Sequence, residues 1–336
     1  MSEAMAATTR PGPLTPVDDA LARLAAALAP VPAREVALAE AAGRVLAEPL
    51  VVPAPVPPRA LALRDGWAVA AADTVGASPY GPVVLANAPA FVRAGEPLPE
   101  GTDALLPPDA VVLGVAEASE SAAPGEGVRR PGADAAAGHV LRPAGVRLRP
   151  LDLAAAGAAG LSRCTVRIPV LGLAGESPGL DLLARLAAQS GFSVCRDGSA
   201  DASLRVIARG PGEAGPLAEL ALRPGEVAFA VDPPVVAVPR RLDGALAAWL
   251  VLLRPLLERA AGAAPVAPRS GPLRRKIASA VGLTEVALLR ADGDGFDPLA
   301  VGDLPLSAIA AADAFLAVPP SSEGYAAGET VRAFPL

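Results

Sequence analysis

The chain begins with a segment whose apolar residues recur at the spacing of a helix. Within residues 15–29, the larger apolar side chains fall three or four positions apart, at Val17, Leu21, Leu24 and Leu28. Thr15 suits the cap position, Pro16 suits the first helical position, and Asp18 and Asp19 complement the positive end of the helix dipole. The pattern therefore predicts a helix that starts at Thr15.

The pattern then changes to short apolar runs. A second short helix is predicted over 38–47, and the proline-dense segment 51–60 predicts extended backbone, because proline is incompatible with a helix interior. Gly, Pro and Asp turns separate the later runs, which predicts a small all-β unit. These runs are 67–69, 83–85, 90–92, 104–106, 111–115 and 140–141.

The third region alternates strand-like and helix-like segments. A near-continuous apolar run at 166–173 predicts a buried strand, and helix 180–189 follows and ends at Gly191. Further strands are predicted at 203–208, 227–231 and 235–238, before a long helix at 242–261. Strands that alternate with helices are typical of a parallel α/β sheet.

The last region is again rich in strand signals. A linker at 262–272 precedes it, and strands are predicted at 277–281, 285–289, 314–318 and 330–334. Such a module is typical of a compact β barrel or sandwich. We therefore predict a multidomain α/β plus β chain, divided as follows: a helical and extended N-terminal arm (14–66 with 140–165), a small β domain (67–139), an α/β domain (166–262) and a C-terminal β barrel (268–336).

Composition excludes several classes of protein. Hydrophobic residues make up 52% of the chain, but the strongest apolar run, 245–253, is far shorter than the roughly 20 residues that span a bilayer, so no membrane partner is expected. The net charge of −6 argues against nucleic-acid binding. No secretory signal is recognisable at the start, and Cys164 and Cys195 lack metal-site spacing, so we expect a cytoplasmic protein with two core cysteines.

Two single residues limit the chemistry. Lys276 is the only lysine, and no glycine-rich loop surrounds it, so a P-loop or Schiff-base role is not expected. His139 is the only histidine and lies in a turn-rich stretch, which argues against a Ser-His-Asp system.

Several segments resemble one family in colinear order. They are PPRALALRDGWAVAAADT (57–74), PLPEGTDALL (97–106), GEGVRRPGADAAAGHVLRPAGVRL (125–148), LALRPGEVAFA (220–230) and the stretches 301–320 and 326–334. Together they identify the chain as similar to the molybdopterin molybdenumtransferases of the gephyrin E-domain type.

The resemblance implies an elongated homodimer with a three-layer, molybdopterin-binding-like α/β domain. The family inserts molybdate into adenylylated molybdopterin, and Mg²⁺ takes part, as a hard ion that prefers carboxylate and phosphate oxygens. It also implies active sites that combine the α/β domain of one subunit with N-terminal residues of its partner. The expected ligand is molybdopterin or adenylylated molybdopterin, and a molybdoenzyme is an expected partner.

Two carboxylates stand in matching motifs. Asp65, in the run Arg64-Asp65-Gly66-Trp67, could hold Mg²⁺, a water or a pterin N–H from a tight turn. Asp134 follows two adjacent arginines, Arg129 and Arg130, which could clamp an oxyanion or stabilise the carboxylate. The resemblance implies catalytic roles for both aspartates.

The motifs of the α/β domain are eroded. Where the family carries Ser-Thr-Gly-Asp-Glu, this chain reads Leu-Ala-Gly-Glu-Ser at 173–177, so Gly175 is kept and Glu176 is the candidate catalytic and metal-binding carboxylate. Asp181 is the polar residue left where the family has Asp-Ser-Asn.

The remaining candidates lie in two further loops and one strand end. The loop 208–212 keeps Gly210 but has lost its hydroxyls, and the connection that follows is shorter than usual in the family. Where the family has a Gly-Leu-Pro-Gly-Asn-Pro loop, residues 237–242 of this chain carry Arg240 and Arg241. Arginine can bind a phosphate through its fork of donors, but it removes the close backbone approach that glycine allows. The candidate cofactor-binding residues of this second group are Gly210, Arg223, Gly225, Pro239, Arg240 and Arg241.

Two functions follow from this mixture. The first is a divergent molybdenumtransferase that uses Asp65, Asp134 and Glu176 for metal and water. It would use Arg223, Arg240 and Arg241 for the phosphates. The second is a catalytically inactive paralogue, a pseudoenzyme that carries molybdopterin or inserts the molybdenum cofactor into a molybdoenzyme. A third class, an interaction protein that binds no pterin, stays open. The lost donors favour the second function, because each oxyanion donor contributes about 2.7–4 kcal/mol to transition-state stabilisation.

Overall fold

The computed structural model describes residues 13–112, 114, 116–196, 202–210 and 217–336. Contacts divide the chain into two compact units. The first unit contains the described residues up to Glu48, together with Ala144–Arg149 and Thr165–Leu336, and the second contains Pro49–Pro143 and Pro150–Cys164. Within the described residues, no helix is both long enough and apolar enough to cross a bilayer.

The elements up to residue 142 are mostly short strands. They are α1 (Val17–Ala27), β1 (Arg34–Ala37), β2 (Val45–Leu46), β3 (Leu50–Val51), β4 (Leu61–Ala62), β5 (Gly66–Val69), β6 (Val83–Val84), β7 (Ala90–Val92), β8 (Ala104–Leu106), β9 (Val111–Val112), β10 (Glu117–Ala118), β11 (Val128–Arg129) and β12 (Val140–Arg142).

Helix α1 confirms the predicted periodicity but not the predicted cap. Pro16, and not Thr15, occupies the cap position, and no side chain caps this helix. Thr15 instead lies in a parallel bridge, since its N–H donates to Glu219 O at 2.8 Å and its carbonyl accepts from Ala221 N at 2.7 Å. Strand-like pairing of the Thr15 backbone therefore moves the start of the helix to Val17.

The second predicted helix, at 38–47, is wrong. Only a 3₁₀ turn, Leu38–Glu40, forms there, and β2 follows. Gly43 adopts a φ of +73° and donates its N–H to Leu148 O at 2.9 Å, which a right-handed helix does not permit. The chain therefore turns at Gly43.

In the second unit, β5 is the central strand of a three-stranded antiparallel sheet with β7 and β8, and β10 is central between β6 and β9. Two-stranded ladders join β4 to β11 and β3 to β12. Helix α2 (Pro150–Ala158) belongs to the same unit, and its buried Asp152 accepts a hydrogen bond from Arg142 Nε at 2.8 Å. Within 67–139 the described residues form short strands and one 3₁₀ turn, Ala71–Thr74.

The region that follows forms the α/β part of the first unit. Its elements are β13 (Arg163–Arg167), β14 (Val170–Ala174), α3 (Pro178–Gln189), β15 (Ser193–Arg196), β16 (Leu204–Arg209), β17 (Ala218–Glu219), β18 (Leu222–Arg223), β19 (Ala228–Val231), β20 (Pro234–Pro239), α4 (Leu242–Ala248) and α5 (Arg254–Ala260). A π-helical turn, Trp249–Leu253, joins α4 and α5 into the predicted long helix.

The single strand predicted at 166–173 is two strands. β13 pairs with β1 and β2, whereas β14 lies inside a six-stranded sheet with the order β15-β14-β16-β20-β19-β17. Pro169 lies between them and has no N–H to donate to a ladder, so the apolar run is divided between two sheets.

The prediction of a parallel sheet is correct for four of the six strands. β15, β14, β16 and β20 are parallel, but β19 and β17 are antiparallel. A tight turn at Asp232-Pro233 joins β19 directly to β20, and a two-residue connection allows only an antiparallel hairpin. The sheet is therefore mixed, and its apolar residues share one core with α1, α3 and the long helix.

The C-terminal elements contribute five strands to a second six-stranded sheet, whose sixth strand is β18, and also form a separate two-stranded ladder. They are β21 (Arg269–Pro272), β22 (Ile277–Ala278), β23 (Thr284–Asp292), β24 (Gly295–Val301), α6 (Leu306–Ala311), β25 (Ala314–Val318), β26 (Gly324–Tyr325) and β27 (Thr330–Pro335). The sheet order is β18-β23-β25-β27-β21, β24 pairs with β23, and the separate ladder is that of β22 with β26. The linker predicted at 262–272 is thus wrong at its end, where β21 forms by pairing with β27.

Candidate functional site

The carboxyl ends of β14, β16 and β20 form one edge of the α/β sheet. The parallel register places Ala174 beside Ile207 and Arg209 beside Pro239. The chain order reverses between β14 and β16, because β15 lies on the other side of β14. Ligands of open α/β sheets bind beside the carboxyl ends of strands at such a switch point. This edge is therefore the candidate site of the first unit.

Gly175 and Glu176 follow β14 directly at this edge. Gly175 has a φ of +94°, which favours glycine, and a Cβ there would lie 3.7 Å from the Ala208 Cβ on β16. Glu176 is exposed, and among the described residues its carboxylate has no hydrogen-bond or ion-pair partner. The structure thus keeps the tight turn and one free carboxylate.

The N-terminus of α3 has already used its backbone donors. Pro178 has no N–H, Gly179 N donates to Arg240 O at 3.1 Å, and Leu180 N donates to Ser177 Oγ at 3.2 Å. Asp181 N donates to Ser177 O at 3.1 Å, as in an ordinary helical turn. A helix N-terminus binds anions through free N–H groups, so this one has no such donor to offer across its first four residues.

Asp181 is engaged by an arginine. Its Oδ1 lies 2.6 Å from Nη2 of Arg196, the last residue of β15, and both side chains are about half exposed. The carboxylate predicted to contact the cofactor therefore forms a surface ion pair on the α3 side of the edge.

The start of α4 packs closely against the end of β20. A Cβ at Gly244 would lie 2.3 Å from Pro239 Cγ and 3.3 Å from Gly225 O, and one at Gly179 would lie 3.0 Å from Pro239 O. Glycine is therefore required at 244, and the sequence-predicted residues Gly225 and Pro239 are brought together with the first turns of α3 and α4.

Asp243 occupies the N-terminus of α4. Its Oδ1 accepts a hydrogen bond from Gly244 N at 2.8 Å and lies 3.1 Å from Arg241 Nε. A negative charge at this position complements the helix dipole. The carboxylate of Asp243 thus occupies the position at the start of α4 where a bound anion would otherwise lie.

The three candidate arginines differ in their partners. Arg241 pairs with Asp243, and Arg223 Nη1 lies 3.4 Å from Oε1 of the buried Glu285. Arg240 is exposed, and its guanidinium has no partner among the described residues. Gly210 follows Arg209, whose Nη2 donates to Glu219 Oε1 at 2.7 Å. The eroded loop residues after Gly210, at 211–216, lie outside the described residues.

Asp65 lies in the second unit. Its Oδ1 accepts a hydrogen bond from Ala94 N at 2.9 Å, in the turn that follows β7. The next residue, Gly66, starts β5 so close to β8 that a Cβ there would lie 2.3 Å from Leu106 O. Asp65 is exposed and anchors a turn, and its second oxygen has no partner among the described residues.

Asp134 also lies in the second unit, beside the proline-dense segment. Its Oδ1 is 2.5 Å from Arg129 Nη2, and its N–H donates to Val56 O at 2.8 Å. Of the two roles open to the arginine pair, Arg129 stabilises this carboxylate, whereas Arg130 donates to Pro124 O at 3.2 Å.

The two aspartates lie at opposite ends of one ladder. β4 and β11 are antiparallel, with Leu61 opposite Arg129. The chain therefore runs from Leu61 towards Asp65 in one direction and from Arg129 towards Asp134 in the other. The fold of the second unit does not bring these carboxylates together.

The described acidic residues do not provide a metal site. Across the described ranges, no group of three or more His, Cys, Asp or Glu side chains could hold an ion. At the sheet edge, Asp181 and Asp243 are committed to arginines, and Glu176 stands alone. These residues do not fit a bound Mg²⁺ without oxygens from a ligand.

Three polar groups in this unit had no distinctive sequence signal. The sequence did not single out Glu285, because its partner Arg223 lies on another strand. It did not single out Asp243 either, because this residue lies in the first turn of an apolar helix. The third is Ser279, whose Oγ is buried without a hydrogen-bond partner in the described structure. Burial of a carboxylate beside arginine would have identified Glu285 only once the pairing of β18 with β23 was known.

Comparison with known proteins agrees with this architecture. Residues 15–160 match the family model described as the MoeA N-terminal region (domain I and II). Over 172 residues the chain is 34% identical to Molybdopterin molybdenumtransferase 2 of Mycobacterium tuberculosis (strain ATCC 25618 / H37Rv). That match covers 44% of this chain and 42% of the relative, so less than half of the curated relative is spanned.

Solved structures share the fold over nearly the whole chain. The crystal structure of the molybdopterin biosynthesis moeA protein from Pyrococcus horikoshii OT3 superposes with a TM-score of 0.74 at 22% identity, covering 96% of this chain and 100% of that one. A molybdenum cofactor biosynthesis protein from Pyrococcus furiosus gives a TM-score of 0.61 at 18% identity, covering 96% and 100%. At these identities the likeness establishes a common fold.

Proposed function

We propose that this chain is a MoeA-family protein with the gephyrin E-domain-like fold, and that it acts in molybdenum cofactor biosynthesis as a molybdopterin molybdenumtransferase-like protein. Its ligand is molybdopterin or adenylylated molybdopterin, and molybdate is the co-substrate. The site is the carboxyl edge of β14, β16 and β20. A homodimer and a receiving molybdoenzyme are part of the same proposal.

One observation supports phosphate binding at this edge. A Cβ built at Gly244 would meet both Pro239 Cγ and Gly225 O, so the segment that follows Arg223 and the end of β20, which directly precedes Arg240 and Arg241, both pack at the start of α4. Arginine presents a planar fork of donors that matches the oxygens of a phosphate. Arg240, which has no partner among the described residues, is the first contact we assign to the ligand's phosphate.

The proposal assigns the acidic residues separately. Glu176 is the carboxylate nearest in sequence to the retained turn at Gly175 and would act on water or a hydrated ion carried in with the ligand. Asp65 and Asp134 would contribute from the N-terminal region of a partner subunit, as the family resemblance implies. The proposal assigns no residue as a Mg²⁺ ligand, because the described acidic residues do not form a site for this ion.

The occupied N-termini of α3 and α4 favour a second candidate function, that of a cofactor carrier. The α3 donors are used internally, and Asp243 occupies the start of α4, so few preorganised donors remain to stabilise a transition state. A protein that binds molybdopterin and carries or inserts the cofactor without catalysing molybdate transfer needs only the arginines.

Release of AMP separates the two functions. The purified full chain is incubated with adenylylated molybdopterin, molybdate and Mg²⁺, and AMP is quantified. AMP release that falls on Asp65→Asn or Glu176→Gln supports the transferase, whereas tight binding without AMP release supports the carrier. No calorimetric affinity for either pterin form overturns both and favours an interaction protein.

A charge variant tests the site itself. Arg240→Gln should weaken binding of adenylylated molybdopterin about tenfold, the usual contribution of a hydrogen bond to a charged group. Arg332→Gln is the matched control, because Arg332 is also exposed without a side-chain partner in the described chain but lies on β27. Equal effects of the two variants would exclude a specific role for Arg240.

We also infer that the C-terminal sheet closes into a barrel. Leu273, directly after β21, forms a parallel bridge with Phe296 of β24, and Arg274 N donates to Phe296 O at 2.8 Å. Because β24 pairs with β23 at the other side of the sheet, this bridge supports a closed ring of strands.

A further inference from the structure

Glu285 is a buried carboxylate that the proposed function does not use. It lies on β23 and is 4% exposed. Its Oε2 accepts a hydrogen bond from Ala280 N at 3.1 Å, and its Oε1 lies 3.4 Å from Arg223 Nη1. A buried carboxylate needs a partner for its charge, and Arg223 is that partner.

The surroundings hold this pair together. Gly302 has a φ of +66°, and a Cβ there would lie 2.5 Å from Glu285 Oε1 and 3.3 Å from Arg223 Cδ. Only glycine therefore leaves room for the carboxylate and the arginine stem side by side. The parallel register of β18 and β23 also places Arg223 directly beside Glu285.

The contact with Glu285 occupies only part of the Arg223 guanidinium. Its side chain remains 53% exposed, and 3.4 Å is longer than the 2.7–2.9 Å of a close charge-assisted hydrogen bond. Guanidinium has five N–H donors, so most of them stay available to a second anion. Two residues further on, Gly225 O lies against the start of α4, beside Pro239 at the end of β20, and Arg240 is the next residue of the chain.

We infer that Glu285 is a positioning residue: it orients Arg223 from beneath, so that the exposed edge of the guanidinium faces the phosphate-binding site. The C-terminal β module thereby sets the geometry of a ligand contact in the α/β part of the same unit. This inference rests on the proposed function, in which Arg223 contacts a phosphate of the ligand.

The direction in which anion affinity changes when Glu285 is substituted distinguishes a positioning role from a purely electrostatic one. A carboxylate near an anion site repels the anion, so removing its charge should strengthen binding if Glu285 only contributes a field. Loss of orientation weakens binding instead. A merely structural ion pair would lower thermal stability and leave the affinity unchanged.

The test uses inorganic pyrophosphate as the probe and the full chain. We expect Glu285→Gln to weaken pyrophosphate binding about fivefold, within the range of coupling between contacting residues. Glu285→Asp, which keeps the charge but withdraws it from Arg223, should weaken it as well, and remains available if the first variant does not fold. Glu258→Gln is the control, because Glu258 pairs with Arg254 at 3.0 Å within α5 and belongs to neither β18 nor β23. Unchanged or tighter binding in both Glu285 variants overturns the inference.

A second readout does not depend on ligand binding. Modification of Arg223 by phenylglyoxal, followed by mass spectrometry, reports how firmly its guanidinium is held. The rate should rise several-fold in Glu285→Gln and stay unchanged in Glu258→Gln, and an unchanged rate in Glu285→Gln overturns the inference. If wild-type protein binds no pyrophosphate, the phosphate contact of the proposed function fails, while the modification rate still decides whether Glu285 orients Arg223.

Discussion

The hydroxyl of Ser177 accepts a hydrogen bond from the backbone N–H of Leu180, with Oγ and N 3.2 Å apart. This contact caps α3 and removes one of the donors that a helix N-terminus could offer to a ligand. It links the stability of the α/β part to the chemistry that its sheet edge can perform.

Ser177→Ala should lower the free energy of unfolding by about 1 kcal/mol, the usual contribution of a side-chain N-cap. Urea denaturation of the full chain measures it. Thr15→Ala is the matched control, because the Thr15 side chain caps no helix, and it should change stability by less than about 0.5 kcal/mol. Equal losses in both variants would contradict the assignment of Ser177 as the cap.

Gly66→Ala should destabilise the second unit by about 1–3 kcal/mol, because the new Cβ must displace β8 backbone. That Cβ would lie 2.3 Å from Leu106 O. Thermal unfolding followed by circular dichroism measures the loss.

Gly157→Ala serves as the comparison for that variant in the same unit. It lies in α2 with nothing within 4 Å of a built Cβ, so it should raise stability by about 0.5–1 kcal/mol through better helix propensity. If Gly66→Ala left the stability unchanged, β5 and β8 would be able to move apart without cost, contrary to the close contact between Gly66 and Leu106 O.

Asp243→Asn should tighten pyrophosphate binding, about twofold to tenfold at low salt, because it removes a charge that competes for Arg241 and the start of α4. The side chain still offers an oxygen to Gly244 N, so this local hydrogen bond should remain. Calorimetry at two salt concentrations measures the gain, which should shrink at high salt. Weaker binding at both would show that Asp243 does not compete with the anion.

Asp297 predicts a pH dependence of stability. The hydrogen bond from Arg275, with Nε 2.8 Å from Oδ1, holds the pKa of Asp297 below its ordinary value of 3.8, and Arg290 contributes further. A lowered pKa in the folded state stabilises the protein above the ordinary pKa, and this contribution is lost as the pH falls through the folded value. The stability advantage of wild type over Asp297→Asn should therefore be full near neutral pH and shrink below about pH 4.

Urea denaturation between pH 7 and the most acidic pH at which the chain stays folded would measure this advantage. Asp303→Asn is the control, because Asp303 is exposed and has no side-chain partner within the described chain. Its pH profile is the baseline with which the profile of Asp297→Asn is compared. A constant difference for Asp297→Asn would show that Arg275 does not favour the charged carboxylate.

The periodicity of the sequence was sufficient for many elements. The helix predicted at 180–189 forms as Pro178–Gln189, and the strand predicted at 314–318 forms as Ala314–Val318. In these segments the local sequence determines the structure, because the apolar spacing lies within the segment and a cap residue or a turn marks its end. The predictions failed where partners are distant: Thr15 bridges to Leu220, and residues 38–47 turn at Gly43 to meet Leu148.

The candidate site divides in the same way. The sequence alone singled out as candidates the turn glycine Gly175, the carboxylates in family-like motifs and the arginines of the loop 237–242, because the motifs of the resembling family can be matched residue by residue. Only the tertiary structure decided which of these groups are already engaged. Asp181 pairs with Arg196, Asp134 with Arg129, and Arg223 with Glu285, because strand pairing and helix packing bring together side chains that no local pattern connects.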